Sequence, residues 1–440
     1  MEPCLVGLLS VGLILAAVIV GVHIGVALAL VSVVGLWAVI GDPAVPVEML
    51  GSAAFHGVFD YVYSVVPMFV LMGFLANLSG AAEDAYDAAA AIMRRRPGGL
   101  AIATVVANAV FAAITGISVA SAAMFSKVSL PPMLRHGYDK KLSLGTIAGS
   151  SILGMLIPPS VLLILYGIVA QESIGALFAA GVLPGLVLAL VYSLGIAAMV
   201  RARPSLVSAP EPGKEPFPDR NGFRTGAMIR GLPILLLIVL VLGGIYAGFF
   251  TPTEAGAIGA FGALLMALAR GRLSARGLWH VLMETGYVSV SVFFILVTAN
   301  MYSRMLTISR LPNMLCEVLS GLPLPPLAIV AMFMGVLVLL GAILDSASII
   351  LITIPIMLPV IKALGYNPIW FGIVCIMAVE TGLITPPFGM VVYTMKATLG
   401  HEVSVEDIFR GAVPFLLMMF FVLGLLLIFP GLSLWLPGLM

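Results

Sequence analysis

The chain has 440 residues, of which 61% are hydrophobic and 9% charged, with a mean hydropathy of +1.18, whereas charged residues make up roughly a quarter of a soluble domain. This excludes a soluble globular protein and predicts an all-α integral membrane protein, because apolar runs long enough to span recur along the whole length and their backbone must be satisfied internally. A formal net charge of +1 gives no support to a nucleic-acid partner or a polybasic membrane-surface role.

Residues 4–20 lack a basic leader and a small-residue cleavage site, so they are read as a retained first span. Further spans are predicted over 23–40, 56–80, 143–169, 177–200, 230–250, 254–269, 278–305, 368–398 and 409–430. Two apolar stretches, 98–132 and 322–364, do not fit as single helices. Drawn straight, the first would be about 50 Å long, against a hydrocarbon core of roughly 30 Å.

Charge offers a way out. Arg94, Arg95 and Arg96 precede the first stretch, and Arg135, Lys140 and Lys141 follow it; clustered basic residues mark the cytoplasmic side. Both ends then lie inside, which makes 98–132 a re-entrant hairpin with its tip at "TGISVAS", residues 115–121. Carried forward, the rule makes 201–230 a cytoplasmic linker, with six basic residues, three acidic residues and five prolines. It makes 322–364 a hairpin entered from the periplasmic side, with its tip at "LDSAS", 344–348, and it places both termini in the periplasm.

A shift of 228 positions superposes Leu130, Pro131, Gly137, Tyr138, Gly154, Pro158 and Pro159 on Leu358, Pro359, Gly365, Tyr366, Gly382, Pro386 and Pro387, and Ser118 on Ser346. The chain therefore reads as two repeats, 1–200 and 231–440, joined by the linker. Five crossings per repeat is an odd number, so the repeats are expected to be inverted. Inverted repeats with interrupted helices are the mark of a secondary transporter.

The interruptions are "GMLIPPSV" (154–161) and "GLITPPFG" (382–389). Prolines lack an N–H, so each pair frees backbone carbonyls near the middle of an apolar run. One reading is a kink that lets helices approach closely. The other is a cation site completed by the hairpin tips: Thr115, Ser118 and Ser121 on one, Asp345, Ser346 and Ser348 on the other, all hard oxygen ligands suited to Na⁺. Half-helix N-termini at the same level would favour an anionic substrate group. Asp345 is a cation ligand or a helix cap. Glu380, opposite Ile152 in the repeat, is a proton-binding group, a partner for a polar residue on the scaffold or a residue near the cavity. "FFTPTEAGA" (249–257) reads as a capping box, Lys127 as a side chain reaching the interface, and Cys4, Cys316 and Cys375 as packing residues. No catalytic, phosphate-binding or His-ligand pattern appears, so neither an enzyme nor a cofactor is expected.

The blocks "PGGLAIATVVANAVFAAITGISVASAAMFSKVSLP", "GSSILGMLIPPSVLLILYGIVAQESIGALFAAGVLPG", "GIYAGFFTPTEAGAIGA", "LDSASIILITIPIMLPV" and "WFGIVCIMAVETGLITPPFGM" together resemble the large membrane subunit of tripartite ATP-independent periplasmic (TRAP) transporters. The resemblance covers essentially the whole chain. It implies an elevator-type importer of organic acids in the bacterial inner membrane, driven by Na⁺ as the coupling ion. Its expected partners are a periplasmic substrate-binding protein and a separate small four-helix membrane subunit. One sodium site is implied between the tip at Thr115, Gly116 and Ser118 and the break at Gly154 to Pro158. A second is implied between the tip at Leu344, Asp345 and Ser346 and the break at Thr381, Gly382, Thr385 and Pro386. Ser118, Ser346 and Thr385 are the implied substrate contacts. Two positions depart from the family: "TGIS" stands where "SGSS" is common, losing a hydroxyl at Ile117, and Val391 stands where Asn is frequent. A stand-alone anion carrier of the same broad superfamily, sodium- or proton-coupled, remains the alternative.

Overall fold

The structure, a computed structural model, describes residues 2–93, 96–207 and 221–440. Arg94 and Arg95 of the basic cluster and positions 208–220 of the linker lie outside the described residues. Regular structure among the described residues is helical, apart from one isolated bridge between Tyr138 and Val207. Among the described residues seven helices are long and apolar enough to cross a bilayer, and the bent pair Lys140–Leu156 and Val161–Ala170 makes an eighth. Pro3–Ile19 and Ile24–Ile40, at 17 residues each, reach about 26 Å.

Burial separates an outer layer from an inner one. About a third of the apolar window is buried in Gly226–Tyr246, Pro252–Ala269 and Ala275–Ser309, against two thirds in Ser346–Ala363. The outer helices show Leu235, Leu236, Val239, Phe261, Tyr287 and Val290 on their exposed faces, as expected where lipid is the solvent. The inner elements are the two predicted hairpins and the two broken helices.

The first hairpin folds back on itself. Its arms are Gly99–Thr115 and Ser118–Val128, continued by Leu130–Arg135. The Leu100 N–H donates to the Tyr138 hydroxyl at 3.0 Å, the Thr104 hydroxyl meets the Met133 sulfur at 3.5 Å, and the Phe111 and Phe125 rings lie edge to face at 5.7 Å. The segment thus ends beside the place where it began. The second hairpin, Pro326–Gly341 and Ser346–Ala363, keeps the 228-residue offset: Ser118 and Ser346 each open the second arm, and Arg135 and Ala363 end it. The broken helices follow in both halves, Lys140–Ser151 then Val161–Ala170, and Pro368–Gly382 then Met390–Leu399. The Pro158–Pro159 and Pro386–Pro387 bonds are both cis.

The broken helices are held against each other and against the last long helix. The Tyr166 hydroxyl donates to the Pro368 carbonyl at 2.6 Å with its ring over Gly372, and the buried Trp370 indole donates to the Leu426 carbonyl at 2.8 Å. Lys140–Ser151 packs on Val405–Ile428 through Gly145 and Gly411, whose backbones touch. Such close approach requires small residues at the crossing.

Three helices of ten or more residues among the described residues lie outside the predicted spans and hairpins for most of their length: Ala44–Phe59, Ala81–Met93 and Leu311–Ser320. The last two are short, amphipathic, and equivalent in the two halves. Ala81–Met93 is anchored by charge. Arg270 pairs with Asp84 and donates to the Ser79 and Arg230 carbonyls at 3.0 and 2.9 Å, while Arg230 lies 3.5 Å from Asp84 and 3.4 Å from Asp87. Burial raises the Asp84 carboxyl above its ordinary pKa, with Arg270 and Arg230 pulling the other way. The linker is also shorter than read, because the next helix begins at Asn221. The expected capping box is present, with Thr251 and Glu254 bonded reciprocally.

Candidate functional site

Each hairpin tip meets the break of its own half. In the first, the helix ends at Thr115, Gly116 turns in the left-handed region (φ 61°), Ile117 is extended, and Ser118 starts the return arm. The Gly116 carbonyl accepts the Val161 N–H at 3.3 Å, across the break. There is no room for a side chain here: a Cβ on Gly116 would lie 2.6 Å from the Pro159 oxygen, and one on Gly154 would lie 3.3 Å from the Ile117–Ser118 peptide.

Pro158 and Pro159 have no N–H for the oxygens of Gly154 and Met155. The Ser160 hydroxyl takes the Met155 oxygen at 2.5 Å, and also caps the following half-helix at the Leu163 N–H. The Gly154 oxygen is thereby left without a helical donor, beside the tip.

The second tip and break are packed backbone to backbone. A Cβ on Gly382 would lie 2.5 Å from both the Gly341 Cα and the Val338 oxygen, and the Gly389 N–H reaches the Ala342 carbonyl at 3.4 Å. Here the carbonyls freed by Pro386 and Pro387 find donors: the Thr385 N–H goes to Gly382 at 2.9 Å and the Val391 N–H to Leu383 at 3.3 Å. The hydroxyls of Thr115, Thr381 and Thr385 donate to the carbonyls four residues earlier, at 3.1, 2.6 and 2.7 Å. With their O–H groups directed at these carbonyls, the oxygens keep lone pairs for an electropositive ligand.

The two tips are joined by Glu380, which is completely buried. Ser118 donates to its Oε2 at 2.5 Å and Ser346 to its Oε1 at 2.9 Å. One carboxylate thus spans the two halves. All three residues stand out in the sequence, but their meeting does not. The available signal was the break in repeat symmetry, with an acid opposite Ile152 in a segment otherwise apolar.

Asp345 is the N-cap of Ser346–Ala363. It accepts the Ser348 N–H at 2.9 Å and the Ser348 hydroxyl, so both carboxylate oxygens serve the turn. Asp345→Ala is expected to cost about 1 kcal/mol, read as a lower melting midpoint. Asp345→Ser, an equally good cap, should recover most of it; equal losses in both variants would show that capping is not what the residue does. At the first tip Ile117 holds the corresponding N-cap position without a side-chain cap, its carbonyl accepting the Ser121 N–H at 3.1 Å. Val391 is buried and Lys127 is exposed.

Residues 11–432 match the family described as tripartite ATP-independent periplasmic transporter, DctM component. The C4-dicarboxylate TRAP transporter large permease protein DctM of Pseudomonas aeruginosa is 33% identical over 381 residues, covering 86% of each chain. The sialic acid TRAP transporter large permease protein SiaM of Vibrio cholerae is 30% identical, covering 89% of this chain and 88% of that one. Among solved structures, MtrF of Neisseria gonorrhoeae shares the fold at 13% identity, with a TM-score of 0.58 over 87% of this chain and 84% of that one.

Proposed function

The chain belongs to the DctM component family of tripartite ATP-independent periplasmic transporters, and on that footing we propose that it is the large permease subunit of a sodium-coupled importer of an organic acid. The relatives' names, a C4-dicarboxylate and a sialic acid permease, support a carboxylate solute. In this reading the chain works in the bacterial inner membrane with a small four-helix membrane subunit and a periplasmic binding protein that delivers the solute.

The observation that carries the ion reading is the contact of each tip with its own break: Gly116 on Pro159 and Val161, Gly341 on Gly382. Backbone carbonyl oxygens at the breaks, and threonine oxygens whose O–H already points at a carbonyl, are uncharged, hard ligands with lone pairs to spare. They suit a small monovalent cation. The first site draws on Thr115, Gly116, Ser118, Gly154 and Pro158, and the second on Leu344, Ser346, Thr381, Gly382, Thr385 and Pro386. Asp345 enters the second set through its backbone, since its side chain caps the helix.

Between the sites, Ser118 and Ser346 open two helices whose N-terminal ends converge. Partial positive charge at these ends favours a carboxylate in their vicinity, and two bound cations would add to it. In this account sodium shapes the tips for the solute, the repeats are inverted, and the hairpins with their broken helices move together as an elevator within the outer layer. The alternative of a stand-alone carrier makes a different prediction for the partners.

The test is uptake into proteoliposomes holding this chain, its small subunit and the binding protein. Accumulation is expected to follow an inward sodium gradient at fixed pH and to stop when the binding protein is omitted. Accumulation that persists on a proton gradient alone would overturn the coupling, and accumulation without the binding protein would favour the stand-alone reading.

A further inference from the structure

Glu380 stands outside the symmetry that organises the rest of the site. Ser118 and Ser346 are equivalents under the 228-residue shift, but the equivalent of Glu380 is Ile152. The bridge between the tips is therefore single, and it comes from the second half. Its carboxylate is completely buried and receives one hydroxyl on each oxygen. A buried carboxyl group is tolerated only when its polar atoms are hydrogen-bonded.

We propose that Glu380 is a positioning residue that ties the two hairpin tips together and so couples the two cation sites. The coupling rests on the sodium reading above; the tie does not. Each tip reaches its own break through backbone: the Gly116 carbonyl to the Val161 N–H, and the Ala342 carbonyl to the Gly389 N–H. These contacts stay within one half. The halves also pack on each other here, Ser118–Val128 against Met390–Leu399, but Glu380 hydrogen-bonds both tips at once, and its backbone runs directly into Thr381 and Gly382 of the second site. A cation that shifts the first tip moves Ser118, Ser118 pulls the carboxylate, and the carboxylate moves the segment that lines the second site. The same chain acts in reverse through Ser346, as linkage requires.

The tie is tested by pulsed electron–electron distance measurement on the assembled complex. Spin labels are placed at Ala120 and Ile343, both exposed and each close to one tip. The wild type should give one narrow distance distribution and Glu380→Gln a broadened one, with or without sodium. An unchanged distribution overturns the tie. Ser118→Ala and Ser346→Ala release one end each and should broaden the distribution in the same way, which keeps the test decisive if the Gln variant fails to assemble.

The coupling is tested by the sodium dependence of uptake. A sigmoidal curve in the wild type should become hyperbolic in Glu380→Gln, with half-saturating sodium raised about tenfold. A Gln variant that keeps the wild-type curve overturns the coupling. A wild type that ignores sodium instead removes the sodium reading, and the distance measurement still decides whether Glu380 ties the tips.

Discussion

Gly145→Ala is expected to strip the protein from the membrane fraction. Gly145 lies on Lys140–Ser151 where that helix crosses Val405–Ile428, and a Cβ there would fall within hard contact of the Gly411 carbonyl oxygen and carbon. The reverse holds too, because a Cβ on Gly411 would press on the Lys141 carbonyl and the Gly145 nitrogen. All these atoms are backbone, so no side chain can swing aside. The helices must separate, which also lifts Phe415 off Gly149 one turn further along. Overpacking of a core costs about 1–3 kcal/mol even where side chains can adjust, and here they cannot; the loss should be about 3 kcal/mol or more. Gly335→Ala is the control: it sits in the helix Pro326–Gly341 with open space around it and should gain about 0.5–1 kcal/mol from helix propensity. Folded protein is read by size-exclusion fluorescence after extraction. Equal yields for Gly145→Ala and Gly335→Ala would show that the crossing is looser than described.

The second large effect belongs to the first tip. Gly116→Ala should reduce solute uptake tenfold or more while leaving most of the protein in the membrane. Two costs act together. The φ of 61° disfavours any residue with a Cβ by about 1 kcal/mol, and the new methyl would push the tip away from the Pro159 oxygen, the Ser160 Cα and the Val161 N–H. Gly248→Ala separates the two. It has the same backbone sign, φ 73°, but nothing within 4 Å of its added Cβ, so it pays only the conformational part. Transport by Gly116→Ala at the level of Gly248→Ala would mean that contact between tip and break does not matter.

Much of this arrangement was legible in the sequence because membranes restrict the options. A run too long for one crossing and basic at both ends pointed to a fold-back, and the packing of Leu100 against Tyr138 is that fold-back. The Gly-x-x-x-Pro-Pro pairs marked the breaks because proline has one local consequence whatever surrounds it. Where the reading fell short, the missing information was non-local or amphipathic. Ala81–Met93 and Leu311–Ser320 are too short and too polar on one side to show as apolar runs. Asp345 had two open roles, and only the position of the Ser348 N–H decided for the cap. Glu380 bonds a serine 262 positions away, a pairing that no local periodicity carries.

The same contrast explains the tolerance of "TGIS" for its isoleucine. At the second tip a side chain caps the returning helix, whereas at the first the turn is held by backbone: the Gly116 carbonyl on the Val161 N–H and the Ile117 carbonyl on the Ser121 N–H. A hydroxyl at position 117 is not required for that.

The claim beneath the whole account is that tip and break together hold a sodium ion. It is tested most directly by the thermal midpoint of the purified chain in detergent, titrated at constant ionic strength with sodium, potassium or choline chloride. A ligand that binds only the folded state stabilises it by about 2.7 kcal/mol at a hundred times its Kd. The account predicts a saturable rise with sodium, absent with potassium and choline and reduced in Gly116→Ala, which leaves the second site intact. An identical response to all three salts, or a sodium response untouched by Gly116→Ala, would contradict it.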